Sequence, residues 1–221
     1  MPTSYYERAA RKAGFQVIAG LDEAGRGSLF GPVFAAAVVL DLARPIRGLD
    51  DSKALEPERR EVLAGRICER AAAWAVGAAD AFEIDRINIY QASLVAMRRA
   101  LGALKAHCDY LLLDAVKLDV PISQKSLIHG DALCFSISAA SILAKVHRDA
   151  ALTAWDNVFP DYNLKSNKGY STPDHLAALA RIGPTTLHRF SFEPVRAASR
   201  HIVWTGYPEA QSPQRELFAC P

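Results

Sequence analysis

The 221-residue sequence predicts an α/β fold in which early strands carry acidic residues and later segments turn helical. Three observations predict it. Apolar runs at 17–21, 33–40 and 110–113 have the length of buried strands, and the first and third end in carboxylates. Leu94, Met97, Leu101 and Leu104 recur at helical spacing, so 91–104 reads as an amphipathic helix with a core-facing stripe. Beyond Ser138 comes a long helical pattern, SAASILAKVHRDAALTAWDNVF, followed by shorter pieces punctuated by Pro160, Pro173 and Pro184.

In chain order, Ser4 and Glu7 have the spacing of a capping box, and Gly14 supplies a stop, which predicts a short leading helix. The runs 17–21 and 33–40 flank a glycine-rich segment and predict a hairpin with an elaborated turn. Residues 57–69 predict a helix with Val62, Leu63 and Ile67 on its apolar side. Tyr110-Leu111-Leu112-Leu113-Asp114 predicts a buried strand, and Ser138 is the expected cap of the long helix. One domain is expected over residues 1–200, helical from about 150, with a flexible tail over 201–221.

Composition narrows the function classes. Lys and Arg total 26 against 24 Asp and Glu, a net charge of +2, so nucleic-acid contact requires a local basic patch, not a global field. Four scattered cysteines without a C-x-x-C pair argue for free thiols and against a zinc site. No apolar run is long enough to span a bilayer and no signal sequence is legible, so a soluble cytoplasmic protein is expected, with no membrane partner. The six histidines form no H-x-x-x-H or H-E-x-x-H pattern and read as structural or surface residues.

The chemistry concentrates in Asp22-Glu23-Ala24-Gly25-Arg26-Gly27. Carboxylates at the end of a buried strand are costly unless a cation holds them. Asp114 ends a second such strand, and strand ends within one sheet converge on one spot. Oxygen-only ligands favour Mg²⁺ or Mn²⁺, and two such ions suit in-line phosphoryl displacement. The alternative reading is that Asp22 and Glu23 cap a turn. Glycines flanking Arg26 let backbone approach a ligand while the guanidinium meets an anion.

These motifs resemble ribonuclease HII in colinear order over about residues 15–197. The resemblance is carried by DEAGRG with the following Gly31-Pro32-Val33, Asp51-Ser52-Lys53, the strand ending at Asp114, Gly130-Asp131, SAASILAK, Asn167-Lys168-Gly169-Tyr170 and His188-Arg189-Phe190-Ser191-Phe192. It implies a ribonuclease H-like fold, with a central mixed β-sheet flanked by helices and a helical C-terminal portion. The implied activity is two-metal endonucleolytic cleavage of RNA in RNA–DNA hybrids and 5′ of ribonucleotides embedded in DNA, leaving 5′-phosphate and 3′-hydroxyl ends. Asp22, Glu23 and Asp114 match its metal ligands. Asp131 is the choice for the fourth acid over Asp149, which lies four residues after Lys145 where a helical ion pair is the simpler reading. Gly25, Arg26 and Gly27 match the loop that reads the ribose 2′-OH, and Tyr170 matches the tyrosine against the next sugar. Lys53 fits a phosphate contact, with Lys145 and Lys168 as further candidates, and Arg189 either supports the site or packs. The implied partner is an RNA–DNA hybrid or a ribonucleotide-containing duplex, acted on by a monomer without an obligate protein partner.

Ser28, Asn167, Ser171 and Phe190 depart from the family pattern. Ser28 in place of proline predicts a less rigid Gly-Arg-Gly loop. Two rivals stand beside this reading: a divalent-metal nuclease or phosphatase indifferent to ribose, and a non-catalytic hybrid-binding module.

Overall fold

Continuous apolar runs, buried on both faces, build the centre of a five-stranded mixed sheet in the computed structural model, which describes residues 2–199. Strands β1 (Ile18–Ala24) and β2 (Val33–Val39) pair antiparallel as the expected hairpin, and β3 (Ala73–Ala79) pairs antiparallel with β2. On the other side β4 (Tyr110–Asp114) runs parallel to β1, and β5 (Ser123–Leu127) runs parallel to β4. The order is β3-β2-β1-β4-β5. Sequence reading missed β3 and β5, and both are edge strands. An edge needs less apolar side chain, so AWAVGAA and SQKSL carry a weak strand signal.

Helix α1 spans Tyr5–Lys12, α2 spans Pro57–Arg70 and α3 spans Ala81–Ala103. They are followed by α4 (Gly130–Leu133), α5 (Phe135–Asp156), a 3-10 turn at Pro160–Tyr162, α6 (Leu164–Asn167), α7 (Pro173–Ile182) and α8 (Glu193–Ser199). Odd-numbered β1 and β4 residues Leu21, Leu111 and Leu113 pack with Met97 of α3 on one face. Even-numbered β2 residues Ala36 and Val38 pack with Leu63 and Ile67 of α2 and Ile142 and Leu143 of α5 on the other. Gly20 lets α5 settle directly on β1: a Cβ there would lie 2.2 Å from the Ser136 carbonyl carbon. The C-terminal helices gather around the loop after β1, burying Leu29, Phe30, Leu152, Leu164, Leu179 and Val195 together.

Several local expectations change. Val62 is 54% exposed, so only Leu63 and Ile67 of the α2 trio face the core. The capping box does not form, because Ser4 makes no side-chain cap bond and Glu7 turns inward. Its Oε1 accepts from the Ser136 backbone N at 2.7 Å, from Ser136 Oγ at 2.8 Å and from Cys134 Sγ at 3.2 Å. Ser136 is the second residue of α5, so a carboxylate from α1 satisfies an open N–H in the first turn of this 22-residue core helix. Accordingly α5 begins before Ser138, whose Oγ instead donates to the Asp50 carbonyl. The helix over 91–104 is the second part of α3, which breaks at Asn88 (φ 68°), whose Oδ1 accepts from Gln91 N.

Candidate active site

Strand parity decides which acids meet. In the parallel β1/β4 pair Leu21 lies beside Leu113, so the next residues, Asp22 and Asp114, leave the strands side by side on the α5 face. Asp131 enters the same space from α4, whose first residue, Gly130, donates its N–H to Asp114 Oδ1 at 2.7 Å. Carboxylate oxygens of Asp22, Asp114 and Asp131 lie within 4.8 Å of one another. Glu23, one residue on from Asp22, takes the opposite parity and stands beside this group. Its Oε1 is 3.3 Å from Arg26 Nη1, and its Oε2 is buried without a partner.

Metal-free, the cluster is electrostatically frustrated. Burial, then Glu23 and Asp114, push the Asp22 carboxyl well above the usual carboxylate range. Burial also raises Glu23, against the pull of Arg26. Asp131 is raised by burial and by Asp51 and Asp114, while Lys53 opposes the shift. Lys53 Nζ lies 4.0 Å from Asp131 Oδ2; desolvation works against its charge, but Asp51, Asp131, Asp22 and Asp114 outweigh it and hold its pKa above the ordinary value. Three converging carboxylates, oxygen-only donors and an unpartnered Glu23 oxygen fit a hard divalent cation. Asp149 sits elsewhere, paired with Lys145 at 2.8 Å and with Arg60 and Arg148 at 3.6 Å.

Beside the acids opens a cleft of about 580 Å³ lined by Gly25, Arg26, Gly27, Lys53, Lys145 and Tyr170, among others. Gly25 has φ +95° and rests on Arg148: a Cβ would fall 2.1 Å from its Nε. Only glycine meets both constraints. Arg26 is exposed, and the half-buried Tyr170 ring lies 4.0 Å from where a Gly27 Cβ would be. The ring stacks on Arg148 at 5.1 Å and faces Lys145 at 5.8 Å.

Two fully buried arginines underpin these loops. Arg148 donates to the Lys168 carbonyl at 2.7 Å, and Arg189 donates to the carbonyls of Arg26 at 2.8 Å and Gly31 at 2.9 Å. Burial and the neighbouring Arg148 bring Arg189 down to about 9. Sequence reading left Arg189 undecided and passed over Arg148, since a single arginine within an alanine-rich helix gives no signal of what lies above it. The Ser28 expectation also changes. Its buried Oγ lies 2.8 Å from the Phe30 carbonyl and 3.0 Å from that of Gly169, so it ties the Gly-Arg-Gly loop to the Tyr170 loop. Asn167 braces the latter, donating to the Tyr162 carbonyl at 2.6 Å and accepting from Gly169 N at 2.8 Å.

No helix among the described residues is long and apolar enough to cross a membrane. The sequence model of the family described as Ribonuclease HII matches residues 19–195. A Ribonuclease HII of Solibacter usitatus is 58% identical over 212 residues, covering 96% of this chain and 90% of its own. One from Koribacter versatilis is 54% identical, covering 89% and 78%. Among solved structures, the ribonuclease H2 of Pyrococcus horikoshii superposes with TM-score 0.73 at 25% identity, over 84% of this chain and 98% of that one. Bst-RNase HIII in complex with Mn2+ shares the fold, with TM-score 0.71 at 21% identity over 87% and 72%. With the mixed sheet, the acid cluster and the Gly-Arg-Gly cleft in place, the chain belongs to the ribonuclease HII family and is a ribonuclease H, a hydrolase that cleaves RNA in RNA–DNA hybrids.

Proposed function

We propose that this ribonuclease H also cuts duplex DNA on the 5′ side of embedded ribonucleotides, leaving 5′-phosphate and 3′-hydroxyl ends. In the cell it would remove misincorporated ribonucleotides and RNA primers. The observation that carries this reading is the juxtaposition of three carboxylates within 4.8 Å with a cleft whose wall is Gly25, Arg26, Gly27 and Tyr170.

Asp22, Asp114 and Asp131, with Glu23 beside them, would hold two Mg²⁺ or Mn²⁺ ions. When bound, such ions neutralise phosphate charge, activate water and stabilise the leaving 3′-oxygen of an in-line displacement. The remaining work belongs to the protein. Gly25 and Gly27 leave peptide groups open to a ribose 2′-OH, the one group that separates RNA from DNA at that position. Tyr170, across from Gly27, packs against the sugar of the following nucleotide. Lys53, beside Asp131, takes a phosphate oxygen. Lys53, Arg60 and Lys145 line the cleft and supply the local basic patch that a net charge of +2 does not provide globally.

The test is a DNA duplex carrying one ribonucleotide, incubated with Mg²⁺, Mn²⁺ or EDTA beside an all-DNA control. Metal-dependent cutting 5′ of the ribonucleotide with intact control DNA is expected. Cutting of both duplexes would retain the acid cluster and discard the 2′-OH reader. Cleavage of a long hybrid but not of the single-ribonucleotide duplex would confine the enzyme to hybrids.

A further inference from the structure

Behind Tyr170 two histidines meet in the interior. His175 and His188 are both fully buried, and their Nε2 atoms are 3.1 Å apart. Each ring's other nitrogen has a partner that fixes its role. His175 Nδ1 lies 2.9 Å from the Tyr170 carbonyl, which only accepts, so Nδ1 carries the proton. His188 Nδ1 lies 3.0 Å from the Thr185 backbone N–H, which only donates, so this nitrogen is bare. For two neutral rings the central contact then has one solution: His188 Nε2–H donates to His175 Nε2. The chain reads Thr185 N–H to His188 to His175 to the Tyr170 carbonyl, with no donor facing a donor.

This chain joins the two walls of the cleft. The His188 peptide is bridged to Phe30, with Arg189 N donating to the Leu29 carbonyl at 2.9 Å and Gly31 N to the Leu187 carbonyl at 2.8 Å. That strip continues directly from the Gly-Arg-Gly loop. The His175 ring ends on Tyr170, whose carbonyl also accepts from Thr172 N at 2.8 Å. Lys168 and Gly169 precede it in the left-handed region (φ 51° and 74°), so the backbone approach to Tyr170 is itself a tight turn that needs external support.

We infer that His175 and His188 are positioning residues: their directional relay holds Tyr170 in register with the Gly-Arg-Gly loop and thereby sets the preference for a ribose-to-deoxyribose junction. This rests on the sugar-packing reading of Tyr170. The surroundings keep the relay neutral. The Phe30 and Tyr162 rings each lie 4.8 Å from the His188 ring, Asp174 is engaged by Thr172 and Asn167, and Arg189 directs its Nη1 and Nε to the Arg26 and Gly31 carbonyls. Burial, with the second imidazole, takes His188 down to about 3, and burial lowers His175 as well.

Long-range ¹H–¹⁵N NMR on the whole ¹⁵N-histidine-labelled protein at pH 6.5 tests the relay without a mutation. His175 is expected as the Nδ1–H tautomer and His188 as the Nε2–H tautomer; the opposite tautomers, or a charged ring, would overturn the inference. Kinetics test its role through the ratio of cleavage at a single embedded ribonucleotide to cleavage of a continuous hybrid. His175→Leu and Tyr170→Ala should each lower that ratio roughly tenfold, and the double variant should fall no further. His175→Asn, which restores a donor near Nδ1, should stay within about twofold of the parent. A folded His175→Leu protein with the parental ratio, while Tyr170→Ala shifts it, would sink the relay's role alone. An unchanged ratio in Tyr170→Ala would instead remove the sugar-packing reading, and the positioning role with it.

Discussion

At the residue scale, position along a strand matters more than residue type. Asp22 and Glu23 are adjacent acids, yet parity sends Asp22 to Asp114 and Asp131 and leaves Glu23 beside Arg26. Asp22→Asn should therefore lower cleavage at least roughly a hundredfold, since several kcal/mol of charge stabilisation depends on metal held there. Hybrid binding, measured by fluorescence anisotropy, should persist because the cleft wall is untouched. A mutant cutting at near parental rate would refute the metal-site assignment. Gly25→Ala acts differently. It demands φ +95° of a residue with a side chain and drives that side chain into buried Arg148. A loss of about 1–3 kcal/mol in stability is expected from urea unfolding, with cleavage falling as the loop shifts.

At the element scale, the helices are held by partners distant in sequence. The charge that caps α5 comes from Glu7 of α1, 129 residues away. Glu7→Ala should cost about 1–2 kcal/mol, a fall of roughly 2–8 °C in Tm for a chain of this size. The metal dependence of cleavage should be unchanged, because Glu7 lies outside the acid cluster. A Tm equal to that of the parent would show that Ser136 N–H finds another acceptor. Asp85 does a comparable job from α3, accepting from Phe190 N and Ser191 N at 2.8 Å and so fastening the segment that leads into α8. The leading helix was legible from Ser4, Glu7 and Gly14, but the role of Glu7 was not. A capping-box spacing and a buried tertiary cap share one sequence pattern, and only the fold brings Ser136 to that carboxylate.

At the scale of the whole molecule, stability should depend on pH and on metal through two separate groups of residues. His188 is held at about 3 when folded, against an ordinary value of 6.5. The unfolded chain therefore binds the proton first, and the contribution is lost progressively as pH falls from about 6.5 toward 3. Urea midpoints should drop between pH 7 and pH 5, and His188→Gln should shrink that drop; an equal drop in both proteins would contradict the assignment. At the acid cluster, Asp22, Glu23 and Asp131 are all raised, so bringing them together in charged form opposes folding at neutral pH. Mg²⁺ or Mn²⁺ should raise Tm relative to EDTA, with a smaller increase in Asp22→Asn, as scanning calorimetry would report.

The sequence by itself determined the fold class, the central β1/β2 hairpin, the β4 strand and the family. Each is written in short-range pattern: continuous apolar runs, helical spacing, and motifs whose order along the chain is itself specific. It also placed Asp22 and Asp114 at strand ends and Asp131 ahead of the long helix, though not in the short helix Gly130–Leu133 that carries it. Only the tertiary structure decided that these three converge while Asp149 joins Lys145, Arg60 and Arg148 in ion pairs. It alone revealed Arg148 and Arg189 beneath the Gly-Arg-Gly loop, Ser28 as a tie between loops, and two buried histidines in contact. The reason is physical. Hydrophobic period is a local property of the chain, whereas hydrogen-bond partnership and burial of charge depend on which distant segments the sheet order and helix packing bring into contact.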